Sequence, residues 1–268
     1  MKDYLFELIN LSRPERSNRM VVREYLQEYF LNILYMKKLY KDLVFCGGTA
    51  LRYLYKLKRF SEDIDFSTSV KSETLDFECF LKELKQEFEA AAYSVEVTYE
   101  TRTNVKSAFF KFPGLLHEIG LSGHEDEMIS IKVEVDTNPP EGGLKKTTMI
   151  NRTFMFYITH YNVGSFFAGK IHAAVCRHFT KGRDWYDLIL YATKFPGLHP
   201  NIEMLNNALQ QTDSDIDPVY ENTWQKLILN SLETADIEKA KDDVRGFLEI
   251  PEEVGLISKE TIYDLFDK

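Results

Sequence analysis

The stretch from Phe45 to Ser67, FCGGTALRYLYKLKRFSEDIDFS, constrains the chain more tightly than any other. The apolar run Leu43, Val44, Phe45 reads as a strand end, and Gly47 and Gly48 follow it as a turn. Glycine permits positive φ and lets backbone N–H groups approach a ligand closely. Thr49 then opens a short helix with Leu51, Leu54 and Leu57 on its apolar side. Beyond it Arg59, Ser61, Asp63 and Asp65 alternate with Phe60, Glu62, Ile64 and Phe66. Residues two apart on a strand share a face, so Ser61, Asp63 and Asp65 are expected on one side and Ile64 and Phe66 on the other. Two carboxylates about 7 Å apart along a strand can close on one or two Mg²⁺ ions. A lone Asp-x-Asp is ordinarily a solvated strand face, and a lone Gly-Gly a plain turn. The two at this spacing, with strand alternation around the acids, point to a nucleotide site.

The remaining pattern divides the chain. A short helix and a polar loop around Arg13-Pro14 precede an amphipathic helix over 19–41, with Val22, Leu26, Tyr29, Ile33 and Met36 at three- and four-residue spacing. A polar break from Ser67 to Glu73 leads to a helix over 74–92 and strands over 93–101 and 105–112. Residues 114–127 read as a loop, and its His117, Glu118, His124, Glu125 and Asp126 match no recurrent metal-ligand spacing. In the strand ISIKVEVD, ending at Asp136, Ile131, Val133 and Val135 face one way and Lys132, Glu134 and Asp136 the other. A loop over 137–151 and a last strand from Phe154 to Ile158 follow. From Asn162, a plausible cap, the pattern is helical, with later helices near 201–211, 217–232, 235–248 and 257–266. The expected architecture is α+β: a strand-rich domain over 1–160 with N-terminal helices, then a helical domain over 161–268.

Composition narrows the function. The 268 residues are 44% hydrophobic and 28% charged, ordinary for a globular protein, with nineteen Phe and fifteen Tyr as core material. A net charge of −9 argues against indiscriminate nucleic-acid binding. Residues 201–268 hold sixteen Asp/Glu against six Lys/Arg, so an acidic region follows a nearly neutral body. Three scattered cysteines, Cys46, Cys79 and Cys176, make no disulfide framework or zinc motif, which fits a reducing cytoplasm. No run approaches 18 apolar residues, so no membrane span is expected.

GGTAL followed by RFSEDIDF resembles the nucleotidyltransferase signature of the DNA polymerase β superfamily, and more closely that of the AbiEii/AbiGii toxins of type IV toxin–antitoxin and abortive-infection systems. A second segment, FFAGKIHAAVCRHFTKGRDWYDL, is similar to the F-x-x-K-x-x-A and RD-x-x-DL segments of that family. The resemblance spans about residues 40–195. It implies a polymerase β-like core with a mixed sheet, followed by helices. It implies Asp63 and Asp65 as ligands of Mg²⁺ or Mn²⁺, with a third acid that falls on Glu134 or, two residues along the same face, Asp136. It places Lys170 at the nucleotide phosphates and a further acid at Asp184 or Asp187, of which Asp184 could otherwise be a helix cap. Gly47 and Gly48 would offer N–H groups to the phosphates, Thr49 and Ser61 hydroxyls, and Arg52 and Lys170 positive charge. The implied reaction moves an NMP from an NTP to an RNA acceptor, with tRNA 3′ ends favoured in the family and an antitoxin encoded nearby. Transfer to a protein hydroxyl, phosphoryl transfer on the same fold, and a non-catalytic nucleotide-binding module are the rival expectations.

Overall fold

Seven strands form one mixed sheet in the order β3-β4-β5-β2-β1-β7-β6 in a computed structural model that describes residues 2–9, 14–69, 76–212 and 216–267. The strands are β1 (Leu43–Cys46), β2 (Asp63–Thr68), β3 (Glu96–Glu100), β4 (Val105–Pro113), β5 (Met128–Asp136), β6 (Lys145–Asn151) and β7 (Met155–Tyr161). At the centre β2 runs antiparallel to β1 and parallel to β5, and β7 runs parallel to β1. The expected neighbours 43–46, 64–66 and 131–135 are therefore adjacent. The α+β class and the mixed sheet stand as expected.

The helices are α1 (Lys2–Leu8), α2 (Glu15–Met36), α3 (Gly47–Tyr55), α4 (Phe77–Ala90), α5 (Leu115–Glu118), α6 (Val163–Cys176), α7 (Gly182–Lys194), α8 (Ile202–Gln211), α9 (Trp224–Thr234), α10 (Ile237–Arg245) and α11 (Lys259–Phe266). Several expected boundaries move. The helix drawn over 19–41 stops at Met36, because Lys38 takes φ +61°, and a separate 3₁₀ turn covers Leu39–Lys41. The helix drawn over 217–232 starts only at Trp224, after Pro218. β6 lies inside the expected loop 137–151; as an edge strand it exposes six of its seven residues, so it carries no apolar alternation to detect. The start of the helix drawn over 74–92 and the Arg13 loop fall outside the described residues. Among the described residues no helix is long and apolar enough to cross a membrane.

The chain divides into two compact units. The first holds residues 1–56, 60–139 and 147–160, the second 57–59, 140–146 and 161–268. In the first unit, α2 and α4 lie on the sheet face carrying Ala108, Phe110, Phe112, Ile131, Val133 and Val135, all fully buried. Aromatic edges fill that layer: Phe30 meets Phe110 at 5.4 Å and Phe88 meets Phe112 at 5.1 Å between ring centroids. In the second unit, Phe167 of α6 stacks on Tyr191 of α7 at 4.9 Å, and Trp224 and Phe266 extend the cluster. Asn162 caps α6, its Oδ1 accepting the Ser165 N–H at 2.8 Å, as its position predicts. Gly182 begins α7 against α10, where a Cβ would sit 1.7 Å from the Ala240 carbonyl oxygen.

The first unit also buries charge. Arg52 donates from Nε and Nη2 to the two carboxylate oxygens of Glu24 at 2.6 and 2.9 Å, and Arg152 adds a 2.8 Å contact. Arg52 lies over the Phe60 ring and Arg152 over the Tyr53 ring. This corrects the expectation that Arg52 meets a triphosphate: its fork is committed to Glu24 in the interior. Burial alone would raise the Glu24 pKa, but the hydrogen bonds and charge of Arg52, with the charge of Arg152, hold it below the ordinary carboxylate value. A depressed folded value means the pair stabilises at neutral pH and loses that contribution as pH falls through it. Arg52→Ala strands Glu24 among apolar groups, and a loss of about 3–5 kcal/mol is expected from urea unfolding at pH 7. If Arg52 served the nucleotide instead, unfolding would be unchanged and only NTP use would suffer.

Candidate active site

The turn from β1 into α3 has no room for a side chain. Gly47 sits at φ +72°, and a Cβ there would fall 1.9 Å from Oδ2 of Asp65. The glycine is thus required both by backbone conformation and by the carboxylate packed against it. α3 starts at Gly47 rather than at Thr49, and its N-cap residue Cys46 makes no side-chain cap. Its first-turn N–H groups have no intrahelical acceptor. Thr49 is fully buried and its hydroxyl donates to the Asp63 carbonyl, fastening α3 to β2. That corrects the role expected for Thr49: its hydroxyl holds the strand and is not presented to a ligand.

β2 begins at Asp63, so only part of the expected alternation is strand. Asp63 and Asp65 are half-buried on one face, while Ile64 and Phe66 are buried on the other, as expected. Ser61 precedes the strand and lies outside the ladder that carries the acids; its carbonyl and that of Glu62 accept from Gln27 Nε2 at 3.1 and 2.8 Å. In the parallel ladder to β5, Asp63 stands across from Lys132, Asp65 from Glu134 and Ser67 from Asp136. Lys132 Nζ lies 2.6 Å from Glu134 Oε1. Burial works against that ammonium, but the hydrogen bond and charge of Glu134, with Asp63 and Asp65 behind it, raise its pKa above the usual lysine value. Asp136 accepts the Asn138 N–H at 2.9 Å, and burial raises its pKa. Of the two candidate third acids, then, Glu134 is the one opposite Asp65, and Asp136 is tied to the following turn.

The donor chemistry of Asp63 and Asp65 fits a hard divalent ion. Glu134 is turned toward Lys132, and among the described residues no three His, Cys, Asp or Glu side chains converge as a metal-holding group. Lys132 was missed in the sequence reading as a counter-ion for the acids. Its signal was there: it lies on the Glu134 face, two residues before it.

The second segment forms a separate network within the helical unit. Lys170 Nζ lies 3.0 Å from Asp184 Oδ1 and 2.7 Å from Asp187 Oδ2. Arg59 donates from Nε and Nη2 to both oxygens of Asp187 at 2.8 and 2.6 Å, and Arg177 Nε lies 3.0 Å from Asp184 Oδ2. Asp187 is fully buried and Asp184 is 2% exposed. Lys170, Asp184 and Asp187 are each partnered within the helical unit. The partner that makes a charge tolerable at Lys170 is a carboxylate pair. Asp187 has both oxygens committed and no surface for a nucleotide. Asp184 is the third residue of α7 rather than its cap, and it carries ion pairs. Burial disfavours the Lys170 ammonium, yet Asp187 and Asp184 raise its pKa above the usual lysine value. Arg59, expected on the acid-bearing strand face, belongs to this network instead.

Lys170→Ala should leave two buried carboxylates with reduced compensation and cost about 3–5 kcal/mol in denaturant unfolding, with loss of helical signal at lower urea. A purely phosphate-contacting Lys170 would instead leave unfolding unchanged and lower NTP use alone.

The model of the family described as nucleotidyl transferase AbiEii toxin, type IV toxin–antitoxin system, matches residues 30–254. No curated protein matches the sequence. Among solved structures, JHP933 from Helicobacter pylori is 20% identical with a TM-score of 0.45, over 90% of this chain and 94% of that one. A second Helicobacter pylori protein, described as a candidate nucleotidyltransferase, is 19% identical with a TM-score of 0.43, over 87% and 94%. An antigenic nucleotidyltransferase-like protein from Paracoccidioides brasiliensis is 18% identical with a TM-score of 0.39, over 75% and 87%. The family match covers the glycine turn, the paired aspartates, Glu134 and the Lys170 helix alike, and the chain belongs to the AbiEii nucleotidyltransferase toxin family of type IV toxin–antitoxin systems.

Proposed function

We propose that this nucleotidyltransferase moves an NMP from an NTP to a hydroxyl of an RNA acceptor, with divalent metal, as the toxin partnered by an antitoxin. The observation that carries the reading is the placement of Asp63 and Asp65 on β2, one against Gly47 and both across from the Lys132–Glu134 pair. The acceptor oxygen forms a bond to the α-phosphorus as the bond to the pyrophosphate bridging oxygen breaks, and the hydroxyl proton leaves to a base. The first-turn N–H groups of α3, at Gly47 and Gly48, suit the phosphates, aided by the positive end of the helix. Asp63 and Asp65 would hold Mg²⁺ or Mn²⁺, which neutralises phosphate charge and makes the acceptor hydroxyl more acidic. The Glu134 carboxylate would take the hydroxyl proton. Lys132 offsets repulsion among the three acids.

Asp63→Asn and Asp65→Asn remove charge with little change of shape at half-buried positions. With NTP labelled at the α-phosphate and total RNA, each should lower label transfer by at least about 10²-fold while thermal unfolding stays near wild type. Chelation of divalent ions should do the same to the wild type, reversibly. Transfer of γ-label rather than α-label, or full activity in both variants, would overturn the reading.

A further inference from the structure

The solvent-facing side of the sheet carries one feature that the chemistry at β2 does not use. Phe109 of β4 is 39% exposed on the face that bears the acids, with Val105 and Met128 also exposed there. In the antiparallel ladder Phe109 stands across from Lys132, which in turn stands across from Asp63. Lys132 Nζ lies 5.8 Å from the centre of the Phe109 ring, so one ammonium spans the aromatic face and Glu134. Strands are about 4.8 Å apart, which puts the Phe109 and Asp63 backbones about 10 Å from each other. Along the same face, Lys111 follows Phe109 by two residues, Thr98 stands across from it on β3, and Ser107 stands across from Glu134. Glu96, Glu100 and Asp136 also lie on this face; Glu100 accepts from the backbone N–H groups of Thr101 and Arg102, and Asp136 from that of Asn138.

We propose that Phe109 is the platform on which the terminal base of a single-stranded nucleic acid acceptor stacks. The inference rests on the nucleotidyl-transfer reading of the acids. Across the sheet the order is β1 with Gly47, β2 with Asp63 and Asp65, β5 with Glu134, then β4 with Phe109. The leaving pyrophosphate and the attacking oxygen lie on opposite sides of the transferred phosphorus. Phosphates held at the Gly47 turn therefore leave the β5–β4 side for the acceptor. Glu134 lies on that side, between the aspartates and the aromatic ring. An exposed ring flanked by lysines is the chemistry that holds a base and its backbone without reading sequence. The NTP base would instead lie on the β1 side.

The test measures binding of a short fluorescent oligoribonucleotide by the full chain, with a normal or an abasic 3′ end. Phe109→Ala should weaken binding of the normal oligonucleotide by about 5- to 150-fold, and Phe109→Trp should retain it. The abasic end should cost the wild type the same factor and cost the Phe109→Ala variant nothing further. NTP affinity and thermal unfolding should match wild type in both variants. Equal binding of both oligonucleotides by the wild type, or equal losses of NTP and oligonucleotide affinity in Phe109→Ala, overturns the proposal. Label that lands on a protein, at a rate unaffected by Phe109→Ala, also overturns it. Absence of any α-label transfer by the wild type sinks the nucleotidyl-transfer reading, and the oligonucleotide affinities still judge Phe109 separately.

Discussion

The first unit depends on a missing side chain. Gly47 ends β1, turns at positive φ and starts α3 within one residue, and the space where its Cβ would be is filled by the Asp65 carboxylate. The antiparallel register sets Cys46 beside Asp65. The Thr49 hydroxyl then ties the helix to the Asp63 carbonyl, so α3 and β2 are fastened at both aspartates. From β2 the parallel register passes to β5 and fixes which acid faces which: Asp65 meets Glu134, and a one-residue slip would turn Ile64 and Val133 out to water. Burial of the apolar face thus enforces the arrangement of the polar one.

Each unit also carries a buried ion network, and the two share a logic. Glu24 and Glu28 with Arg52 and Arg152, and Asp184 and Asp187 with Lys170, Arg59 and Arg177, pair buried carboxylates with at least as many cations. Desolvation of such charges is costly, and attraction at close range offsets it only when the geometry is good and the remaining polar atoms are met. Bidentate arginines supply that geometry at Glu24 and Asp187.

The acid-bearing strand, the glycine turn and the central strand order were legible because they rest on local rules: period-two alternation, the freedom of glycine, and apolar runs. Strand β6 was not, because an edge strand reading KKTTMIN buries only Ile150 and leaves no pattern. The partners of Arg52, Thr49, Asp187 and Lys170 were not legible for a different reason. A charged or hydroxyl side chain next to a motif suggests a ligand, but its true partner can lie far along the chain: Arg52 is 28 residues from Glu24, and Arg59 is 128 from Asp187. Helical spacing gives no sign of such pairings. Arg59 shows the limit most plainly, since it shares the parity of Asp63 and Asp65 in sequence yet belongs to the other unit.

Exposure separates the two kinds of carboxylate in this chain. Asp184, Asp187, Glu24 and Glu28 are buried, and each has hydrogen bonds or ion pairs within the fold. Binding a phosphate or a metal at such groups would first break an existing bond in a medium where that is expensive. Asp63, Asp65 and Glu134 are half-exposed on one face of the sheet, and the Lys132 ammonium responds to all three. Like charges held this close by a backbone ladder raise one another's energy, and a divalent cation or a metal-bound triphosphate relieves it. The sheet, not the carboxylates, bears the cost of keeping them together, through the buried side chains Ile64, Phe66, Val133 and Val135 on its opposite face. A site of this kind is preorganised by packing beneath it, so its chemistry can remain exposed without its geometry becoming loose.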